Sequence, residues 1–328
     1  MMSRPLLSII VIAYNMPRQA LNTLRSLASD YQEGVAAEDY EVILVENRSR
    51  RCMDAEAIAT LSGNFRYFLR DEPGVSPAAA INFGFAQARA EHICLMIDGA
   101  RMVTPGLVHF ALMAFRAAPS ALVVTPSYHL GEHDQQHHLT HGYSEESEQK
   151  LLASVNWPEQ GYRLFEIGCW SAANPKGYFQ PFMECNCLCM PASIFRELGQ
   201  ADERFACLGG GMLNLDIYRR AALHRDTRLF VLAGEGSFHQ LHGGVTTSET
   251  DRRDEILRMQ QEEYSRIHPE PFRSPAIEPV ILGAFKWPGS AAFLQYSVEL
   301  GTVRYQRLSA MCKPLYADDE CEAARTAD

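Results

Sequence analysis

The stretch Ile93-Cys94-Leu95-Met96-Ile97-Asp98-Gly99-Ala100-Arg101 sets the fold class of this chain. Five apolar residues run directly into an acid and then a glycine. An uninterrupted apolar run of this length has the pattern of a strand covered on both faces, as in a parallel sheet under helices. Asp98 then stands at the strand's carboxyl end, where open α/β sheets take their ligands.

The same pattern repeats outward from this stretch. Leu7–Ala13, Tyr40–Glu46 and Phe65–Leu69 are expected strands on its N-terminal side, and Ala121–Pro126, Glu184–Met190 and Thr227–Ala233 on its C-terminal side. Expected helices lie between them. Arg18–Ser29 carries Leu21, Leu24 and Leu27 at helical spacing, and Ala78–Ala90 is alanine-rich and suited to close packing. Asp54–Leu61, Thr104–Phe115, Ala192–Leu198, Leu213–His224 and Asp251–Ile267 follow the same logic. Alternating strands and helices predict an α/β fold with a mostly parallel central sheet flanked by helices. Ser127–Lys176 interrupts the alternation and reads as an insertion. After His268-Pro269-Glu270-Pro271 the period disappears, so residues 1–270 are expected to form one domain. Residues 271–328 are expected to be an extension packing on that domain or on a second subunit, as in a homodimer.

Composition narrows the function classes. Of 328 residues, 47% are hydrophobic and 21% charged, ordinary for a soluble globular chain. A net charge of −10 argues against a nucleic-acid partner and against a polybasic membrane patch. No apolar run approaches the roughly 20 residues of a membrane helix. Leu6–Ala13 is too short for a signal core and leads into Tyr14-Asn15-Met16-Pro17, so a cytoplasmic protein is expected. The nine cysteines form no CxxC pair. Cys185, Cys187 and Cys189 alternate, which in a strand spaces them about 6.7 Å apart. Two thiolates on one zinc lie within about 4.6 Å, so these read as buried free thiols. His129, His133, His137, His138 and His141 have no regular spacing and read as a solvated loop.

Four motifs together resemble the GT-A glycosyltransferases, in particular the large inverting family 2. Ile10-Val11-Ile12-Ala13-Tyr14-Asn15 is similar to that family's opening strand, and Val42–Ser49 to its second strand with the polar end. Asn82-Phe83-Gly84, followed by the strand ending at Asp98, resembles the helix and Asp-x-Asp strand. Leu198–Phe205 resembles the segment before the catalytic helix. The resemblance covers roughly residues 6–250. It implies a GT-A fold and transfer of a sugar from a nucleotide sugar, a UDP-sugar being favoured, to a hydroxyl acceptor of a polysaccharide, glycolipid or natural product. Tyr14 would offer a face to the base, Glu46 an acceptor to a base N–H, and Asp98 an acceptor to the ribose; Asn15, Asn47 and Ser49 lie on the same edge. The Trp157–Lys176 part of the insertion would shape the acceptor side.

The chain departs from the family pattern at two places. The second acid of Asp-x-Asp, a usual ligand of Mn²⁺ or Mg²⁺, falls on Ala100. Asp98 remains, and the resemblance points to His242, with Gly244 and Thr246, as the late histidine motif, with His239 close by. Arg101 is the alternative source of positive charge for the diphosphate. The family's Glu-Asp pair falls on Leu213 and Asn214, and an amide cannot act as a base. Asp216 is the nearest acid, with Glu184 or Glu235 as alternatives. An impaired nucleotide-sugar-binding or scaffold module and a sugar nucleotidyltransferase are the competing readings.

Overall fold

The computed structural model describes residues 4–133, 142–171, 177–242 and 252–317. An eight-stranded sheet forms its centre. The strands are β1 (Leu7–Tyr14), β2 (Tyr40–Asn47), β3 (Phe65–Arg70), β4 (His92–Met96), β6 (Ala121–Val124), β9 (Leu188–Pro191), β10 (Arg228–Ala233) and β12 (Val280–Gly283), in the order β12-β10-β6-β9-β4-β1-β2-β3. A second, four-stranded sheet has the order β5-β11-β7-β8, built from β5 (Arg101–Val103), β7 (Ser127–Leu130), β8 (Gly168–Trp170) and β11 (Ser237–His239). The helices are α1 (Pro17–Ser26), α2 (Ala55–Ala59), α3 (Ala78–Gln87), α4 (Leu107–Ala117), α5 (Glu145–Ser154), α6 (Ala192–Glu197), α7 (Leu213–Ala222), α8 (Arg253–Ile267) and α9 (Pro288–Ala310).

The apolar runs become central strands because both of their faces are covered. Ile9, Val11, Cys94 and Met96 pack on one side with Leu24 of α1 and Leu107 of α4. Ile10, Ile12, Ile93 and Leu95 pack on the other with Ile81 of α3 and Ile217 of α7. Gly84 lets α3 approach closely: a Cβ there would lie 2.5 Å from Ile10 Cγ2. The sheet is mostly parallel, as expected. The exception is β9, antiparallel to both β4 and β6. That reversal brings the chain entering β9, with Glu184 and Asn186, to the edge where the parallel strands end.

The second sheet grows out of that same edge. β4, β6 and β10 each continue after a short break into β5, β7 and β11. The segment that carries His239 and His242 therefore contains a strand, β11, which pairs with β5 and β7. His129 is likewise not in a solvated loop but in β7, 8% exposed. His137, His138 and His141 lie outside the described residues.

The C-terminal extension is better ordered than its sequence suggests. β12 pairs with β10 at the edge of the central sheet. The 23-residue α9 packs Phe293 edge-on against Tyr128 and Trp170 of the second sheet. It escapes a periodicity reading because Tyr296, Val298, Val303 and Tyr305 are exposed, which blurs the apolar stripe. Cys94, Cys185, Cys187 and Cys189 are buried free thiols, with Cys94 and Cys187 sulfurs 3.8 Å apart.

Candidate active site

Asp98 lies in the turn between β4 and β5. Its Oδ1 accepts the Ala100 N–H at 3.1 Å, which closes the turn. Gly99 is required by space, since a Cβ there would sit 2.5 Å from the Ile12 carbonyl oxygen. Antiparallel pairing of β5 with β11 sets Arg101 opposite His239, and parallel pairing of β11 with β7 sets His239 opposite His129. His239 Nε2 lies 2.8 Å from Asp98 Oδ2, and His242 Nε2 lies 3.6 Å from Asp98 Oδ1. The two imidazole Nε2 atoms are 3.0 Å apart. Asp98, His239 and His242 thus turn one ligand atom each into a space where all three lie within 4.8 Å of one another.

Electrostatics suit this cluster to a cation. Burial pushes Asp98 up, but the two histidines outweigh it and hold the carboxyl well below its ordinary range. Burial pushes His239 down to about 4 against the pull of Asp98, with Arg101 acting in the same direction as burial. A neutral imidazole beside an ionised carboxylate is the protonation state that metal binding requires. Two imidazoles and one carboxylate leave room for further ligands, so the residues present fit a divalent first-row ion. Ala100 offers no ligand atom, whereas His239 on β11 and His242 just beyond it offer one each.

Arg101 is only 6% exposed. Its Nε is 3.4 Å from Asp98 Oδ2 and its Nη1 donates to Ser127 Oγ at 3.3 Å. It is a fixed positive charge beneath the cluster rather than an open arm.

The acids divide clearly. Glu184, half-buried before β9, accepts from the Asn214 side-chain amide at the start of α7. Asn186 also lies near that amide, its Oδ1 3.4 Å from Asn214 Nδ2. Burial raises the Glu184 carboxyl, opposed by Arg101 and by the Asn214 hydrogen bond. Asp216, by contrast, is 1% exposed and does not face the cleft. It is bound by Arg220 Nε at 2.7 Å and lies 2.9 Å from His268 Nε2. The expectation of a catalytic Asp216 is corrected on this ground: one turn along α7 from Leu213, its side chain points into a buried ion pair. Glu235 is also fully buried, accepting from Tyr162 Oη at 2.9 Å and from Thr104 and Gly106.

At the nucleotide edge, Tyr14 ends β1 with 55% of its surface exposed, and Asn15 follows at φ 55° with its carbonyl held by Arg51. Tyr14 is in register with Asn47 of β2. Asn47 is 9% exposed, and its Oδ1 has no hydrogen-bond partner among the described residues. Glu46 is turned the other way. It is fully buried, accepts the Met53 N–H at 3.0 and 3.2 Å, and accepts Tyr67 Oη at 2.5 Å. Strand alternation explains the correction: consecutive residues of β2 face opposite sides, and the buried Oδ1 of Asn47, not Glu46, is left without a partner among the described residues. Ser49 Oγ donates to the Arg51 carbonyl at 3.0 Å within its own loop. Thr246 and Gly244 lie outside the described residues.

A profile of the family described as Glycosyl transferase family 2 matches residues 8–171 of the 328. The chain belongs to glycosyl transferase family 2. Its central sheet flanked by helices is the GT-A architecture, and it is a nucleotide-sugar glycosyltransferase. No curated protein matches the chain in sequence. Among solved structures, residues 1–349 of S. aureus TarS in complex with UDP-GlcNAc are 13% identical, with a TM-score of 0.49. That match covers 92% of this chain and 73% of TarS 1–349. The mannosyltransferase PcManGT from Pyrobaculum calidifontis, in complex with GDP-Man and Mn²⁺, is 13% identical with a TM-score of 0.48. That match covers 96% of this chain and 82% of PcManGT. Among the described residues of this family 2 chain, no helix is long and apolar enough to cross a membrane.

The family 2 reading from sequence missed Asn186 and the buried polar face of α1. Gln19, Asn22, Thr23 and Ser26 recur at helical spacing opposite the exposed side, and that periodicity was available as a signal.

Proposed function

We propose that this chain is an inverting hexosyltransferase that takes a UDP-hexose and transfers the sugar to an acceptor hydroxyl. The observation that carries the reading is the convergence of Asp98, His239 and His242 at the carboxyl end of β4. Asp98, His239 and His242 would hold a divalent cation, which when bound neutralises charge on the leaving diphosphate. Arg101 adds fixed positive charge under the same site. Tyr14 offers its exposed ring to the base. The Asn47 Oδ1 on the same edge is buried and has no partner among the described residues; once uncovered it would accept one N–H, as a uracil ring supplies, which supports UDP as the nucleotide. Asn15 and Ser49 border the same edge.

Glu184 is assigned as the base. Its carboxyl is raised by burial, and Asn214 orients it by donation. The acceptor hydroxyl oxygen attacks the anomeric carbon as its proton passes to Glu184. The carbon–oxygen bond to the diphosphate breaks, and UDP leaves with the electron pair. One carboxylate on the acceptor side, acting in a single displacement, inverts the anomeric carbon.

Turnover of a panel of UDP-, GDP- and dTDP-sugars, with Mn²⁺ and with EDTA, tests this reading. Hydrolysis or transfer from a UDP-hexose that Mn²⁺ supports and EDTA abolishes is the expected result. Absence of binding and turnover with every donor would return the chain to the binding-module alternative. Residues 271–317 are assigned to the same domain, since β12 completes its sheet. The exposed Val298 and Tyr305, seven residues apart and so on one side of α9, are the face on which we place a homodimer in a cytoplasmic enzyme. A single monomeric species in sedimentation equilibrium at micromolar concentration rejects the dimer.

A further inference from the structure

His239 and His242 are joined by only two residues, Gln240 and Leu241, in a segment that is not helical. Such a segment has no internal ladder to hold two imidazoles on one point. His239 Nδ1 is buried and has no hydrogen-bond partner among the described residues, so its ring is not oriented from behind by a carboxylate or carbonyl. Its direction comes from the backbone.

That backbone is gripped from two helices. The Leu241 N–H donates to Glu148 Oε2 of α5 at 2.6 Å, and the Leu241 carbonyl accepts from Gln19 Nε2 of α1 at 2.5 Å. The Gln240 N–H donates to the Ala100 carbonyl at 2.9 Å. The Gln240 side chain accepts from Asn22 Nδ2 at 2.9 Å and donates to the Gln19 carbonyl at 2.9 Å. The same face of α1 reaches Asp98: Thr23 Oγ1 donates to the carbonyl of the adjacent Gly99 at 2.7 Å. Arg18 Nη2 closes the frame on Glu148 Oε1 at 2.9 Å. Gln19, Asn22, Thr23, Gln240 and Glu148 are each less than a tenth exposed.

Burying this many polar groups is no more stabilising than an apolar interface of the same shape. What the arrangement supplies is direction, since hydrogen bonds fix angles that apolar contacts leave loose. Resting on the cation-site reading above, we infer that Glu148, Gln19 and Asn22 are positioning residues. They clamp the His239–His242 segment, while Thr23 of the same helix face holds Gly99, so that the three ligand atoms converge. The inserted segment between β7 and β8, which carries α5, thereby sets the cation affinity of a site it does not line.

Mn²⁺ titration by electron paramagnetic resonance and by calorimetry, with no donor or acceptor present, tests this. The variants are Glu148→Leu, Asn22→Leu, Glu148→Gln and His239→Ala, each checked for folding by circular dichroism. His239→Ala is expected to lose the site. Glu148→Leu and Asn22→Leu are expected to weaken Mn²⁺ binding roughly 10- to 100-fold. Glu148→Gln, which keeps an acceptor for the Leu241 N–H, is expected to stay within about threefold of the parent. Asn22→Leu leaves the Arg18–Glu148 pair intact and carries the test if Glu148→Leu fails to fold. Mn²⁺ affinity within twofold of the parent in the leucine variants, with His239→Ala devoid of it, overturns the clamp and leaves the cation site standing. Parental affinity in His239→Ala overturns the cation site itself.

Discussion

Glu184 and Asn214 are thirty residues apart in the chain, yet the Asn214 amide donates directly to Glu184 Oε2. The family's Glu-Asp pair falls on Leu213 and Asn214, so a carboxylate entering β9 stands beside the amide that occupies the usual acid position. On the proposed assignment of Glu184 as the base, the acid is displaced in sequence but not in space. Glu184→Gln is expected to lower kcat about 10²- to 10⁴-fold while leaving donor affinity unchanged. Single-turnover kinetics beside equilibrium UDP binding separates the two effects.

The same pair sets a pH dependence. Glu184 acts as a base only when deprotonated, and burial raises its carboxyl above the ordinary 4.5. kcat/KM is expected to rise with pH through an apparent pKa above that value. Asn214→Asp places a like charge against Glu184 and is expected to move this limb to still higher pH. A pH–rate profile whose acid limb is unmoved in Asn214→Asp would remove Glu184 from the base role.

Asp216 separates stability from chemistry. Its carboxylate is buried between Arg220 and His268, so Asp216→Ala strands a buried charge and is expected to cost roughly 3–5 kcal/mol. Urea unfolding measures this loss. Per folded molecule, kcat is expected to stay within about threefold of the parent, because Asp216 faces the core. A loss of kcat of a hundredfold or more with an unshifted unfolding midpoint would reinstate it as the base.

The nucleobase contact is testable at Asn47. Removing its unpartnered Oδ1 in Asn47→Leu is expected to weaken UDP binding about tenfold, the scale of one hydrogen bond. Glu46→Gln leaves the cleft unchanged and is expected to alter stability through Met53 and Tyr67 rather than UDP affinity. Isothermal titration with UDP against both variants distinguishes the two neighbours.

Glu235 supplies a stability signature. Burial pushes its carboxyl up to about 7, against hydrogen bonds from Thr104 and Tyr162. A raised folded pKa means the native state holds a proton that the unfolded chain releases above about 4.5. The contribution is therefore fully present below about 4.5 and lost as pH rises to about 7, on the order of 3 kcal/mol. Unfolding free energy measured from pH 4.5 to 8 is expected to decline through this window in the parent, and Glu235→Gln to flatten that decline.

Much of the sheet was legible because its strands are short-range signals. Leu7–Tyr14, Tyr40–Asn47 and His92–Met96 are apolar runs whose burial on both faces is written locally. β5, β7, β8 and β11 were not legible. They are three or four residues long, and their pairing partners lie up to 138 residues away, as in Arg101 with His239. Strands this short carry no period of their own.

By itself the sequence determined that a parallel α/β sheet delivers Asp98 to a ligand edge, and that the usual second metal acid and catalytic acid are replaced by Ala100 and Asn214. Only the tertiary structure decided what stands in their place. An apolar run encodes burial, but neither the direction of its neighbour nor the partner across the sheet. The antiparallel β9 brings Glu184 to Asn214, and the β5–β11 register brings His239 to Asp98. Both are long-range pairings, fixed by the packing of the whole chain rather than by any stretch of it.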